Sequence, residues 1–309
     1  MKPCAWCWLF WGLVARPAAA QVGPPLPPVL RPFRVADAWG LRPALWGYRD
    51  AQGTVVIPAQ YQSAQPFRER YAVVARHDSL GAIDAQNRVV VPFAYHLLEY
   101  MGQERFRFGY RDRYLDEYKV GVLTSANVVV VPPLYRSVTK HGAQYVVQTT
   151  RDSLLLAGPF QGWRSVHSLY GLVAATGQLL LPCRYEWLRW VADSLVVVQW
   201  RQREALFTDA GHALTGFDYR AIGDFHEGLA LARAEEGVGF LDRAGRLVIR
   251  PRWPVAEAFD QGRALVGVQG KWGAIDTGGR VVVRPRYTYA EVQAKLVAER
   301  RRQVAKAKE

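Results

Sequence analysis

The chain has 309 residues, of which 50% are apolar, 12% aromatic and 22% charged, a composition that excludes global disorder and collagen-like structure and allows a sizeable core. The net charge is +13, carried by 33 arginines and only 7 lysines against 27 carboxylates. The arginines are spread along the chain with acidic residues between them, which argues against nucleic acid, whose readers gather a basic stripe, and leaves acidic polysaccharide or an anionic surface as compatible partners.

In chain order, Lys2 is followed by an almost wholly apolar run from Cys4 to Val14 and then by Ala18-Ala19-Ala20. This is the pattern of a secretory signal peptide, residues 1–20, with cleavage after Ala20. The run of 11 residues is too short for a membrane-crossing helix, which needs about 20. No later stretch reaches that length, so the mature chain is expected to be secreted or periplasmic, with no transmembrane segment. Cleavage leaves a charge of +11 and Cys183 as the single cysteine, which can form no internal disulfide. Residues 21–31, with Gly23-Pro24-Pro25-Leu26-Pro27-Pro28, predict an extended spacer.

Residues 32–289 read as one unit repeated seven times. A small anchor stands at Gly47, Gly81, Gly121, Gly171, Ala205, Gly239 and Gly273. Six residues after each anchor comes Gly or Asn (Gly53, Asn87, Asn127, Gly177, Gly211, Gly245, Gly279), and fourteen after it an aromatic (Tyr61, Tyr95, Tyr135, Tyr185, Tyr219, Trp253, Tyr287). Gly and Asn tolerate a left-handed backbone, and Asp50, Asp84, Asp242 and Asp276, three residues earlier, can cap a turn with their own side chains. Each unit therefore predicts a tight hairpin between a first and a second strand. The second strands (Val55-Val56-Ile57, Val89-Val90-Val91 and their equivalents) are apolar at consecutive positions, which predicts that both faces are covered by neighbouring units. Pro58, Pro92, Pro132, Pro182, Pro251 and Pro285 should end them. Beta-prone runs after Phe67, Phe225 and Phe259 supply a third strand. The expected fold is all-β: seven tandem three-stranded antiparallel meanders, forming an open superhelical array or a propeller-like ring, with the open form favoured by the thinness of the units. The regular aromatics are expected in the core.

Leu45-Trp46-Gly47-Tyr48-Arg49-Asp50 and Lys271-Trp272-Gly273-Ala274-Ile275-Asp276 resemble the start of WG repeats, and the following Gly-x-Val-Val-Ile-Pro-x-x-Tyr pattern, Gly53 to Tyr61, agrees. The resemblance is specific at the first and last repeats; between them the Trp position holds Leu80, Val120, Tyr170, Glu204 and Val238. It implies a β-rich bacterial array that binds something, with no assigned chemistry.

Two anchor spacings, 40 and 50 residues, exceed the common 34. Both insertions fall between the third and first strands of consecutive repeats, where equivalent connections share one face and often build a binding surface. They predict a ligand surface of Arg111, Arg113, Tyr114, Asp116, Glu117, Trp163, Arg164 and His167. The six histidines show no metal-ligand spacing, no nucleophile or phosphate-loop motif is present, and no cofactor is expected. The sequence reads as an exported, non-catalytic interaction module for a protein or polysaccharide of the cell envelope. Its alternatives are an envelope scaffold and a hydrolase using Asp112, Asp116 or Glu117. Residues 290–309 predict a basic helix that caps the last sheet through Ala290, Val297 and Val304.

Overall fold

All seven predicted turn residues adopt the left-handed backbone: φ is +78° to +94° at the five glycines, +62° at Asn87 and +58° at Asn127. Each donates its N–H to the carbonyl three residues earlier, as from Gly53 to Asp50 at 3.2 Å and from Gly279 to Asp276 at 2.8 Å. This is the three-residue hairpin loop closed by a left-handed residue. Asp84 Oδ1 accepts the backbone N–H of Gln86 (3.0 Å) and Arg88 (2.9 Å), and its Oδ2 accepts Arg88 Nε at 2.7 Å. Asp242 and Asp276 repeat the arrangement with Arg246 and Arg280. Thr124 and Thr208 substitute a hydroxyl at the same place.

The computed structural model describes residues 29–36, 43–112, 117–154 and 164–306. The expected signal peptide and most of the spacer lie outside them. The strands form seven antiparallel sheets in strict chain order. The first is β1 (Arg31–Val35), β2 (Leu45–Arg49) and β3 (Val55–Tyr61). The second is β4 (Ser63–Ala64), β5 (Tyr71–Arg76), β6 (Ser79–Asp84) and β7 (Val89–Tyr95). The third is β8 (Leu97–Gly102), β9 (Arg105–Asp112), β10 (Glu117–Thr124) and β11 (Val129–Tyr135). The fourth is β12 (Ser137–His141), β13 (Gln144–Leu154), β14 (Arg164–Ala174) and β15 (Leu179–Tyr185). The fifth is β16 (Trp187–Ala192), β17 (Leu195–Trp200) and β18 (Arg203–Thr208). The sixth is β19 (Ala221–His226), β20 (Leu229–Arg233), β21 (Val238–Asp242) and β22 (Leu247–Trp253). The seventh is β23 (Val255–Ala256), β24 (Arg263–Val268), β25 (Lys271–Asp276) and β26 (Val281–Tyr287), followed by the helix α1 (Tyr289–Lys306). The meander of third, first and second strands is as the sequence predicts. The count of three per sheet needs correction: every sheet but the first gains a strand at the front, as short as two residues in β4 and β23, from segments whose pattern is too brief to show, and the fifth stays at three because its second strand is not formed.

The anchor glycines have a packing cause. In each of six sheets the register slips at the anchor: Trp46 pairs with Tyr61 but Tyr48 with Ile57, so the second strand bulges over Gly47. A Cβ on Gly47, Gly121 or Gly273 would sit 2.3–2.4 Å from the carbonyl oxygen of Ile57, Val131 or Val283. The prolines lie inside this bulge, where no ladder N–H is needed, and the strand runs on to the aromatic two or three residues later. They therefore do not end the second strands as expected. In the fifth unit residues 213–219 keep only isolated bridges, Phe207 to Ala213 and Glu204 to Tyr219. These bridges keep the three-residue slip in register of the other units without a continuous strand, and Ala205 occupies the anchor fully buried.

The burial expectation for the second strands is overturned. Val55 is 53% and Val56 43% exposed, while Ile57 is buried, and the other units repeat this with exposed Val89, Val129, Leu179, Leu247 and Val281. These strands are sheet edges, so the third residue of each run is the most buried, while Val90, Val130 and Leu180 in the second place are only partly covered by a neighbour. Strands covered on both faces are the two middle ones. Tyr71 and Val73 of β5 pack with sheet three, while Ala72 and Val74 pack with sheet one. Leu195 and Val197 of β17 face sheet six; Val196 and Val198 face sheet four.

Seven buried clusters follow one another along the chain, each shared by two consecutive sheets, and the last joins sheet seven to α1. None joins sheet seven to sheet one among the described residues. The Cβ positions of Gly177, Gly211 and Gly245 abut Val130, Leu180 and Leu214 of the preceding unit, whereas that of Gly53 meets nothing within 4 Å. The array is therefore open, and α1 covers the face that a ring would press against its first sheet. The covering residues are Val292 and Leu296, against Leu265, Ala274 and Val283. This corrects the predicted stripe: Val297 is 44% exposed and Ala290 also faces water. The Thr288 hydroxyl and Glu291 carboxylate form a capping box, with Glu291 Oε2 accepting Thr288 N–H at 2.8 Å.

Candidate functional site

The two insertions are hairpin extensions. β9 and β10 pair out to Asp112 opposite Glu117, and β13 and β14 pair out to Leu154 opposite Arg164. Of the predicted surface, Arg111 is exposed near the end of β9 opposite Tyr118, and Glu117 opens β10. Arg164 opens β14, and His167 stands three residues on, opposite Arg151. Arg113, Tyr114, Asp116 and Trp163 lie outside the described residues. The backbone thus places Arg111, Asp112 and Glu117 at one hairpin neck, and Arg164 and His167 at the neck of the next unit's hairpin.

A second place was not singled out by the sequence. A groove of about 650 Å³ lies at the front strands of sheets two to four, at the turn end of β9, away from its hairpin tip. Arg68 and Glu69 come from the connection between β4 and β5, Glu99 and Tyr100 from β8, Arg107 from β9 and Lys140 from β12. The Tyr100 hydroxyl donates to Glu69 Oε2 at 2.5 Å, and burial together with this carboxylate pushes its pKa up to about 12. The Tyr100 hydroxyl oxygen in turn accepts the Glu104 backbone N–H at 3.3 Å. Arg107 pairs with Glu99, and Lys140 Nζ donates to Gln103 Oε1 at 2.5 Å. Arg107 Nε is buried without a hydrogen-bond partner among the described residues. The sequence signal for this groove is slight: alternation at Leu98-Glu99-Tyr100 and Ser137-Val138-Thr139, on strands that carry no repeat marker.

Between sheets five and six a different network stands in for a missing strand. Glu204, in the Trp position of its repeat, is buried and accepts Ile222 N–H at 2.7 Å. Arg189 binds the Ile222 carbonyl and pairs with Asp224 at 2.5 Å. Desolvation holds the Glu204 carboxyl above the usual carboxylate range, against the pull of the Ile222 N–H and of Arg189. Cys183 is half-buried, and burial likewise raises its thiol. The +14 aromatics have the core role expected of them: Tyr61, Tyr95, Tyr185, Tyr219 and Trp253 are buried. Tyr61 and Tyr95 also tie consecutive units by donating to Asn87 Oδ1 (2.6 Å) and Asn127 Oδ1 (3.2 Å). Among the described residues no cluster of three or more metal-ligating side chains occurs, and no helix is long and apolar enough to cross a membrane.

No curated protein matches the chain. Among solved structures, the extracellular domain of a hybrid two-component system from B. thetaiotaomicron overlaps 84% of this chain at 10% identity, with a TM-score of 0.26; the chain spans 52% of that domain. The Dos1 propeller overlaps 75% of this chain and 70% of its own, at 11% identity and a TM-score of 0.26. The extracellular domain of a one-component system from B. thetaiotaomicron overlaps 77% of this chain and 37% of its own, at 9% identity and a TM-score of 0.23. Overlaps this shallow carry no argument about function. The family described as "WG containing repeat" matches residues 46–75, 239–272 and 272–292, the first and the last two units of the array. These matches at three regions of the chain support a WG repeat-containing protein.

Proposed function

We propose that this protein is an exported, non-catalytic interaction module, whose ligand surface is carried by the hairpin extensions of sheets three and four. The observation that carries this reading is the shared position of the two extensions: both lengthen the hairpin between the third and first strands, in consecutive units of an otherwise uniform array. A repeat scaffold that diversifies at one equivalent point in two neighbours presents a local, protruding surface without disturbing its core. The composition of the segments, with Arg111, Arg113, Tyr114, Trp163, Arg164 and His167, supplies the aromatic and guanidinium groups that anchor interfaces and stack on sugars. An envelope polysaccharide or protein is the proposed partner, and the leader read in residues 1–20 supports export.

The test is removal of residues 155–163, with Leu154 joined to Arg164 by a two-residue turn. The ladder beneath is complete, so the melting temperature should stay within about 2 °C. Capture of glycan-array ligands or of a purified envelope partner should be lost. Unchanged capture by the shortened protein rejects the hairpins as the binding surface.

A second reading, a carboxylate-dependent hydrolase, is favoured by one feature. Asp112 and Glu117 are directly opposed partners at the neck of the β9–β10 hairpin. Like charges in that position cost stability and call for a reason. Asp112→Asn or Glu117→Gln should stabilise a pure binding module slightly, and should abolish turnover if glycan hydrolysis is the activity.

A further inference from the structure

The groove at the front strands of sheets two to four has the attributes of a ligand site independent of the hairpin tips. Its volume, about 650 Å³, is that of a small-molecule pocket. Three consecutive sheets each contribute one cation: Arg68, Arg107 and Lys140. Both carboxylates in the lining already accept protein donors, Glu69 from the Tyr100 hydroxyl and Glu99 from Arg107. The unspent groups are therefore donors. The Arg68 backbone pairs with Tyr71, but its guanidinium makes no hydrogen bond or ion pair among the described residues. Lys140 has only the neutral Gln103 amide oxygen, which leaves two of its three N–H bonds and its whole charge uncompensated. Arg107 Nε is buried and unpaired, an arrangement that costs free energy unless an acceptor enters.

We propose that this groove binds a small organic anion whose carboxylate or phosphate head is held among Arg68, Arg107 and Lys140. The guanidinium groups suit a planar or tetrahedral oxyanion, and the ammonium adds charge without fixed geometry. The rest of the ligand lies along Val138, Thr139 and Met101. The Tyr100–Glu69 bond keeps the Glu69 carboxylate turned to sheet three. Arg107 stands five residues before the end of β9, so the site is roughly 17 Å from the hairpin neck. It can therefore be occupied whether or not the hairpins hold a partner.

Calorimetric titration tests this with three probes: galacturonic acid, glucose 6-phosphate and uncharged galactose. At least one of the two anions should bind saturably at one per chain, and galactose should not. Arg68→Gln and Lys140→Gln should each weaken that binding tenfold or more, as loss of a charge-assisted hydrogen bond implies. The double variant Arg250→Gln, Arg284→Gln removes two exposed charges on β22 and β26, outside the groove, and should leave the affinity unchanged. Deletion of 155–163 should also leave it unchanged, which separates this site from the proposed hairpin surface. Circular dichroism of Arg68→Gln, a loop substitution, should match the parent protein. The proposal is overturned if neither anion saturates, if galactose binds equally well, or if the distant arginine pair weakens binding as much as Arg68 and Lys140 do.

Discussion

At Gly273 and Gly121 a single hydrogen atom separates fit from collision. A methyl group there would stand 2.3 Å from a carbonyl oxygen of the bulged strand, and backbone rather than a mobile side chain would have to give way. Gly273→Ala should destabilise the protein by about 3 kcal/mol in urea titration, at the upper end of ordinary overpacking costs. The reverse change at the one anchor that is not glycine, where the second strand keeps only isolated bridges, Ala205→Gly, should cost only about 1 kcal/mol, from backbone entropy and a small lost contact. Equal costs would show that the bulge does not select the anchor. Glu204 gives a pH-dependent test. Because its carboxyl titrates above the ordinary range in the folded chain, the folded state holds a proton that the unfolded state releases. Stability must then fall as pH rises from the unfolded pKa, about 4.3, to the folded value. Glu204→Gln keeps an acceptor for Ile222 N–H and removes the titration. Its advantage over the parent in urea midpoint should grow from pH 4 to 7, and a constant difference would assign Glu204 no desolvation cost.

The elements show what the sequence exposes and what it conceals. The hairpins were legible because their chemistry is local: Asp84 and Asn87 are three residues apart and each does its own part of the turn. The bulge was not, since Pro58 reads equally as a strand end until the pairing of Trp46 with Tyr61 is known. The front strands were hidden for a similar reason. β4 is two residues long and is defined by its partner β5, not by periodicity. The helix was foreseen but its buried face was not, because a heptad stripe through Val297 assumes a coiled-coil partner. A flat sheet instead accepts the i, i+4 pair Val292 and Leu296. The groove went unread because Arg68, Arg107 and Lys140 belong to three repeats and to no repeated position. Ending the chain after Tyr287 should uncover Leu265, Ala274 and Val283. We expect a lower melting temperature by several degrees and concentration-dependent self-association in sedimentation, while a monomer of unchanged stability would deny the helix its covering role.

On the scale of the whole molecule, every core cluster but the last is shared by two neighbouring sheets, so no unit is complete alone and the series needs an end. The first sheet opens it with three strands and Leu30 tucked against Tyr48 and Ile57; α1 closes it. The alternative, a ring, would place sheet seven against sheet one and leave α1 nothing to cover. The direct measurement is a pair of spin-label distances in the protein with its cysteines replaced by serine. One pair sits on the hairpin turns of adjacent sheets, at Ala244 and Thr277, and the other on the terminal sheets, at Gln52 and Thr277, all exposed positions. An open array predicts a distance for 52–277 several times that for 244–277, which reflects one sheet-to-sheet step of about 10 Å plus the labels. Similar distances for the two pairs would mean that the array closes on itself, and the linear account of this fold would be wrong.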